Sequence, residues 1–243
     1  YFNTNQNTYF AAQISQHCWQ ATPGRVIDFI RNKGKERQGE VWEDTHLVEV
    51  HKNGGKYHVL LYTHDKRYIE YECDHFVNAL GYSAERFARM LGLYTGLYPV
   101  KHQALITHRL PNLGKNGDIL DMLIDRRKRN DFSAVDAKAE ISNFDELKFN
   151  TRRFMEIISE VFCDWIPSLA TVPVQATWSG YYVEPRYIID PDNGLFVGLQ
   201  GHGFMLAQYL AKLYVDKALG RTVPDYMERL RLDGDGISEK AFK

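Results

Sequence analysis

The sequence predicts a mixed α/β fold, with helices and antiparallel strands in one chain. Three observations carry this. An apolar stripe with a period near 3.6 follows Pro23, a run with a period of two is broken by Asn53-Gly54-Gly55, and at residues 76–91 and 195–219 a short apolar strand runs through glycine into a helix.

Residues 8–19 place Tyr9, Ala12 and Cys18 at loosely helical spacing. Pro23 then stands at a helix N1 position after Thr22, a residue suited to cap it. Val26, Ile27 and Ile30 form one stripe, which Gly34 weakens and Gly39 ends. From Glu40 the period changes to two, through Val41, Thr45, Leu47 and Val50. Asn53-Gly54-Gly55 is a hairpin turn, because these residues tolerate positive φ. Tyr57, Val59 and Leu61 continue the pattern, and a third strand at Tyr68–Tyr71 completes an antiparallel meander.

The run from Cys73 to Gly81 reads as a strand entering a helix over Ala84–Leu91. Leu97–Thr107 is a further strand, and Asp118–Asp125 reads as another. The basic cluster Arg126-Arg127-Lys128-Arg129 reads as a solvated loop. Phe154, Ile157, Ile158, Val161 and Phe162 share one face of a helix over Phe149–Trp165, stopped by Pro167. Val172–Val183 and Leu195–Leu199 are strand-like. Met205–Leu219 is a helix closed by Gly220, and a last helix starts near Pro224 and fades by Asp233.

Composition narrows the function. The 243 residues carry 30 Lys plus Arg against 31 Asp plus Glu, a net charge of −1, which disfavours a nucleic-acid partner because phosphate-backbone binding draws on a basic excess. No stretch approaches the roughly 20 apolar residues of a membrane helix. The three cysteines, Cys18, Cys73 and Cys163, are too few and too scattered for a disulfide framework or a zinc knuckle. They read as buried thiols of a reducing compartment, so a cytoplasmic location and no metal are expected. The polar opening Tyr1-Phe2-Asn3-Thr4 is not a signal peptide and reads as a loop entered in mid-course, so residues upstream are expected.

Two GxG spacings occur. Gly234-Asp235-Gly236 precedes no good helix and reads as a turn. Gly201-His202-Gly203 follows a strand and opens a helix, the order of a dinucleotide fingerprint, although Leu206 stands at the third glycine. Two glycines admit a ligand close to the backbone, and the helix start offers free N–H groups and partial positive charge. Such a corner suits an electron-rich ligand edge; it also serves simply to turn a strand into a helix.

Several segments together resemble one family. They are Phe76-Val77-Asn78-Ala79-Leu80-Gly81, the helix 84–92, Tyr98-Pro99-Val100-Lys101-His102-Gln103 through Thr107, Trp178-Ser179-Gly180-Tyr181-Tyr182, and Gly194–Val197 followed by Gly201–Ala207. The resemblance is to the FAD-dependent amine and amino-acid oxidoreductases of the D-amino-acid oxidase type, which include glycine oxidase, sarcosine oxidase and dimethylglycine dehydrogenase. The matches follow the family's order over most of 40–107 and 172–220.

The resemblance implies FAD as cofactor and an incomplete Rossmann-like FAD-binding domain plus an antiparallel-sheet substrate domain. It places the first at 1–97 with 172–243, and the second at 98–171 with a contribution from 172–190. It implies that the Leu47 backbone meets adenine and that Ala79 and Gly81 lie where the chain passes the flavin nucleotide. It also implies that Gly201, His202, Gly203, Phe204 and Met205 wrap the pyrimidine edge of the flavin ring. On the substrate side it implies Tyr98, Tyr182 and Arg186 as binding residues, with His102 and Tyr182 nearest the chemistry. Many members carry an arginine where Tyr182 stands, and Arg186 or Arg109 is then the candidate replacement. For Arg186 the plain alternative is a loop arginine paired with Glu184 or Asp190, and for His102 a strand residue facing a neighbour.

The implied reaction is hydride transfer from the C–H beside an unprotonated amine to flavin N5, on a sarcosine-, dimethylglycine- or proline-like substrate. The family's N-terminal GxGxxG unit is absent before residue 40, and the stretch after Tyr182 is shorter than usual. Two readings follow. One is an oxidoreductase lacking part of its nucleotide-binding domain in this sequence. The other is a non-catalytic fragment or subunit that needs another chain. Either leaves room for a partner subunit or an electron-acceptor protein.

Overall fold

The computed structural model describes residues 21–108, 155–156 and 173–237. These fall into two compact units: 21–99 with 182–237, and 100–108 with 155–156 and 173–181. The expectations for 8–19, 118–125 and 126–129, for Cys18, Cys163 and Arg109, and for all but two residues of the 149–165 helix lie outside the described residues.

In the larger unit, α1 spans Pro23–Glu36. Pro23 supplies the preset φ of a first helical residue, and the carbonyl of Thr22 accepts from Val26 N–H at 3.2 Å. Lys33 and Lys35 lie in the last turn, where the helix dipole favours cations. Gln38, at φ +66°, turns the chain away, and Gly39 N–H returns to the Gly34 carbonyl. The expected apolar stripe is present, but no α1 residue is buried: Ile27 and Phe29 are 61% and 63% exposed.

The meander is β1 (His46–Asn53), β2 (Lys56–Tyr62) and β3 (Tyr68–Cys73), ordered β1-β2-β3 and antiparallel throughout. Asn53 pairs with Lys56 around Gly54 (φ +59°) and Gly55 (φ +87°), the two positive φ values of a type I′ turn. The first strand starts later than its pattern suggests, because Asp44 at φ +48° turns the chain before it. The third runs two residues past Tyr71. A bulge between Leu47 and Glu49 shifts the register. On one face Val50, Tyr57 and Val59 pack with Phe87 of α2 (Ala84–Met90), joined by Leu47, Leu61, Phe76 and Leu91.

The expected strand at 73–81 is a single parallel bridge, Asn78 to Leu195. Asn78 N–H donates to the Gly194 carbonyl at 2.8 Å, and Phe196 N–H donates to the Asn78 carbonyl at 3.0 Å. The Asn78 amide, fully buried, donates to the Ala84 carbonyl at 2.9 Å and accepts from Leu80 N–H at 3.3 Å. It thereby ties the strand end to the start of α2.

β4 (Tyr98–Thr107) and β5 (Val174–Glu184) form a two-stranded sheet. The end of β4 meets the start of β5, where His108 N–H donates to the Pro173 carbonyl at 2.9 Å. Most of each strand belongs to the smaller unit.

Two short antiparallel strands, β6 (Ile188–Asp190) and β7 (Leu195–Val197), form the centre of the larger unit. β7 stops at Val197, short of the expected Leu199, where Gly198 at φ +78° turns the chain. Ile188, Leu195 and Val197 pack with Ala84, Ala88, Leu97 and Val183. Ile189 and Tyr187 pack on the other side with Leu210, Leu213 and Tyr214 of α3 (Gly203–Ala218) and with Met227 and Leu230. α3 ends as expected. Gly220 N–H, at φ +69°, donates to the Lys217 carbonyl and Arg221 N–H to the Asp216 carbonyl, which is a Schellman closure. The last segment is 3₁₀ over Asp225–Leu230, not α. Its two buried side chains, Met227 and Leu230, are three residues apart, which suits three residues per turn. Among the described residues no helix is long and apolar enough to cross a membrane.

Two buried carboxylates set the acid limit of the larger unit. Burial alone would raise the Asp190 pKa. The hydrogen bonds from Asn193 and Leu232 N–H, with the nearby Arg231 charge, outweigh it and hold the carboxyl below its ordinary value. Bonds from Lys212 and Arg221 do the same for Asp216. A depressed folded pKa adds stability above the unfolded value, and that stability is lost as pH falls through the folded one. The unfolding midpoint is therefore expected to be level from neutral pH to about 5 and to drop below about 4. Thermal melts across pH check this; a midpoint still level at about pH 3 would contradict it. Burial, then the Asp74 charge, pushes the Cys73 thiol up, which keeps it protonated and a weak nucleophile.

Candidate cofactor site

Parallel strands end on the same side of a sheet, and ligands of open α/β sheets collect beyond those carboxyl ends. The bridge from Asn78 to Leu195 is such a pair. Past it on one side come Ala79, Leu80 and Gly81. Past it on the other come Gly198 and the 3₁₀ turn Gln200–His202 that enters α3. The two stretches singled out in the sequence, 78–81 and 201–205, thus emerge at the same end of one paired strand end.

Both are open. Ala79, Leu80, Gly81, Gly201, Phe204 and Met205 are exposed, the last two at 49% and 69%. Gly81 takes φ +57°, and a Cβ there would meet nothing within 4 Å. The start of α3 has no side-chain cap and no acidic residue in its first turn. The 3₁₀ turn Gln200–His202 leads straight into it, and the positive end of the helix dipole at that corner favours an electron-rich group. Gln200 adopts φ +52° to make the corner.

His202 stands half-buried at the head of α3, and its Nδ1 lies 2.6 Å from the Tyr187 hydroxyl. Tyr187 is buried, so the imidazole is held from the core side.

A family model described as FAD dependent oxidoreductase matches residues 3–217. The chain belongs to that family. Solved structures with the same fold include L-proline dehydrogenase from P. horikoshii, with a TM-score of 0.65 and 23% identity over 86% of this chain and 59% of that one. Iminodiacetate oxidase from Chelativorans sp. BNC1 follows at 0.57 and 19%, over 86% and 58%. Glycine oxidase from Geobacillus kaustophilus gives 0.52 and 15%, over 80% and 53%. The chain thus spans little more than half the length of these structures. A comparison with curated proteins gave no match.

The FAD-dependent oxidoreductase family needs a place where a flat, electron-rich ring can lie against backbone. The start of α3, which has no side-chain cap and no acidic residue in its first turn, and the small residues Ala79 and Gly81 fit that need. Leu47, half-buried at the second position of β1, pairs with Leu61. Of the expected substrate residues, Tyr98 opens β4 and is 42% exposed, and Tyr182 lies half-buried near the end of β5. His102 is half-buried within β4, in the smaller unit. Arg186 donates from Nη1 to the Gly234 carbonyl and from Nη2 to the Leu232 carbonyl at 2.6 Å. Its guanidinium is thereby fixed to the C-terminal segment.

Three residues outside the expected set organise the site. Asn78, inside a segment already singled out, is the buried hub of the strand end. Tyr187 steadies His202 and carries no local sequence signal. Asp190 anchors the turn 191–194 and the Leu232 backbone. The run Asp190-Pro191-Asp192-Asn193-Gly194 is a turn signature that could have revealed it.

Proposed function

We propose that this chain contributes the flavin-facing part of an FAD-dependent oxidoreductase that oxidises an amine or amino acid at the C–H beside nitrogen. The observation that carries the reading is the shared end of the Asn78 and Leu195 strands, where 79–81 and 201–205 emerge together. In this reading the unit of 21–99 and 182–237 belongs to the FAD-binding domain, and β4 with β5 contributes to the substrate domain. FAD, when bound, supplies the hydride acceptor. The chain's own part is to position and to stabilise. The first turn of α3 faces the pyrimidine edge and favours negative charge there. Ala79 and Gly81 let the nucleotide pass close to the backbone, and the Leu47 backbone meets adenine.

Tyr182 offers the substrate one neutral hydrogen bond in place of a bidentate cationic clamp. Arg186 keeps its two carbonyl partners. Tyr98 and His102 line the substrate side. This favours a secondary or tertiary amine, sarcosine-, dimethylglycine- or proline-like. Proline and iminodiacetate, named for two of the similar structures, are both secondary amines. The sequence contains no GxGxxG spacing, so the pyrophosphate anchor is assigned to residues beyond these 243, in a longer chain or a partner subunit.

The test uses the full-length protein. It is expected to hold FAD, visible as flavin absorbance. Phe204→Asp places a carboxylate in the first turn of α3. An exposed acid there suits the helix, so the stability should stay within about 0.5 kcal/mol of the parent. Flavin affinity should nevertheless fall by about tenfold or more, with a lower reduction potential. A full-length protein that is colourless and cannot be reconstituted sinks the oxidoreductase reading. A coloured parent with an unaltered Phe204→Asp variant sinks the placement of α3.

A further inference from the structure

We propose that the outer edge of the Asn78 strand end takes a further, parallel strand through the backbone of Val77 and Ala79. The occupant is a βαβ unit of the same polypeptide, beyond these 243 residues, that carries the pyrophosphate anchor and also covers the apolar stripe of α1. This rests on the flavin reading. Both backbone groups of Asn78 are spent on one side: its N–H donates to Gly194 and its carbonyl accepts from Phe196. Backbone groups alternate in direction along an extended strand, so those of Val77 and Ala79 point to the opposite edge. Among the described residues they make no hydrogen bond. Val77, Ala79 and Leu80 are exposed, and the run Phe76–Gly81 carries no charge and no proline. A free edge of this kind beside a core is a template for strand addition.

The direction of the added strand follows from the cofactor end. A glycine turn that binds pyrophosphate stands at the carboxyl end of its strand. To reach the end where 79–81 and 201–205 emerge, that strand must run parallel to the Asn78 strand. Consecutive parallel strands need a crossover, usually a helix, so the occupant is a βαβ unit and not a hairpin. α1 lacks cover in the same unit of the fold. Its 14 residues are near the length at which an isolated helix is marginal, and none is buried. Ile27, Phe29 and Ile30 stay at least half exposed, and Arg31 ties the helix to Glu43 by charge, not by packing. The apolar faces of a βαβ unit supply such cover. The match takes in 59%, 58% and 53% of the three similar chains, and the remainder of each belongs to the same polypeptide, which favours an intramolecular occupant.

Residue-resolved hydrogen exchange on the full-length protein tests this, together with thermal unfolding of Phe29→Glu. The Val77 amide should exchange at least about a hundredfold more slowly than a free amide. Phe29→Glu should lower the melting midpoint by about 5 °C or more, where a solvent-facing site would move it by only about 1–2 °C. Free exchange at Val77, or a Phe29→Glu variant that melts with the parent, overturns the proposal. Protection that depends on protein concentration, or that leaves with a copurified second polypeptide, overturns it in favour of another occupant. Flavin absorbance of the same sample separates the two readings. A coloured protein with free exchange at Val77 keeps the cofactor and loses the added strand; a colourless one that cannot be reconstituted, with Val77 protected, keeps the strand and loses the cofactor.

Discussion

Gly198→Ala should abolish the stable fold of the larger unit, with a loss of about 4 kcal/mol or more. Gly198 sits at φ +78°, just after β7. A Cβ built there would lie 2.0 Å from the Arg186 carbonyl oxygen and 3.1 Å from its carbonyl carbon. Backbone on both sides must then move. Arg186 cannot yield easily, because its guanidinium is held by the Leu232 and Gly234 carbonyls. The displacement would pass into β6 and β7, whose residues form the core. Gly220→Ala is the control: its φ of +69° is similar, yet a Cβ there meets nothing within 4 Å. That change should cost only about 1 kcal/mol. Thermal unfolding of the two variants decides it. Equal midpoints would mean that the close approach at Gly198 is not as described.

Asp190→Ala should cost about 3–5 kcal/mol. The carboxylate is fully buried. Oδ1 accepts from Asp192 N–H at 3.1 Å and Asn193 N–H at 3.4 Å, and Oδ2 from Asn193 Nδ2 at 2.9 Å and Leu232 N–H at 3.0 Å. Alanine leaves these donors without their acceptor, while Arg231 keeps Asp192 and Asp233 as its partners. An asparagine side chain would keep one acceptor oxygen but turn an NH2 toward donors, so Asp190→Asn should fall between parent and alanine. Denaturant titration measures both. An alanine variant within about 1 kcal/mol of the parent would show that water replaces the carboxylate at no great cost.

The parts of the fold that were legible are those written locally. Pro23, the Asn53-Gly54-Gly55 turn and Gly220 each impose a backbone conformation by their own covalent structure, and α1, the hairpin and the end of α3 lie where these residues put them. Alternation around Val41 suggested an early strand start, but Asp44 breaks it with a left-handed turn that few signals announce. The stretch after Pro224 carries helix-compatible residues, and only the seating of Met227 and Leu230 in the core makes it 3₁₀. At the site, the glycines and the strand-to-helix order were readable. The polar anchors were less so, because Asn78, Tyr187 and Asp190 act on residues brought to them by the tertiary fold. The guanidinium of Arg186 meets carbonyls more than forty positions away, a pairing that spacing along the chain cannot express.

The bridge between Asn78 and Leu195 joins positions roughly 120 residues apart, so closing it carries a larger loop entropy than any hairpin in the meander. During synthesis on the ribosome, β1 to β3 can assemble as soon as they emerge, since their contacts are near neighbours. The nascent strand end at Asn78 must wait for Leu195 before its backbone groups are satisfied. Until translation reaches the last fifth of this sequence, the amide that will tie this strand end to the start of α2 stays wet.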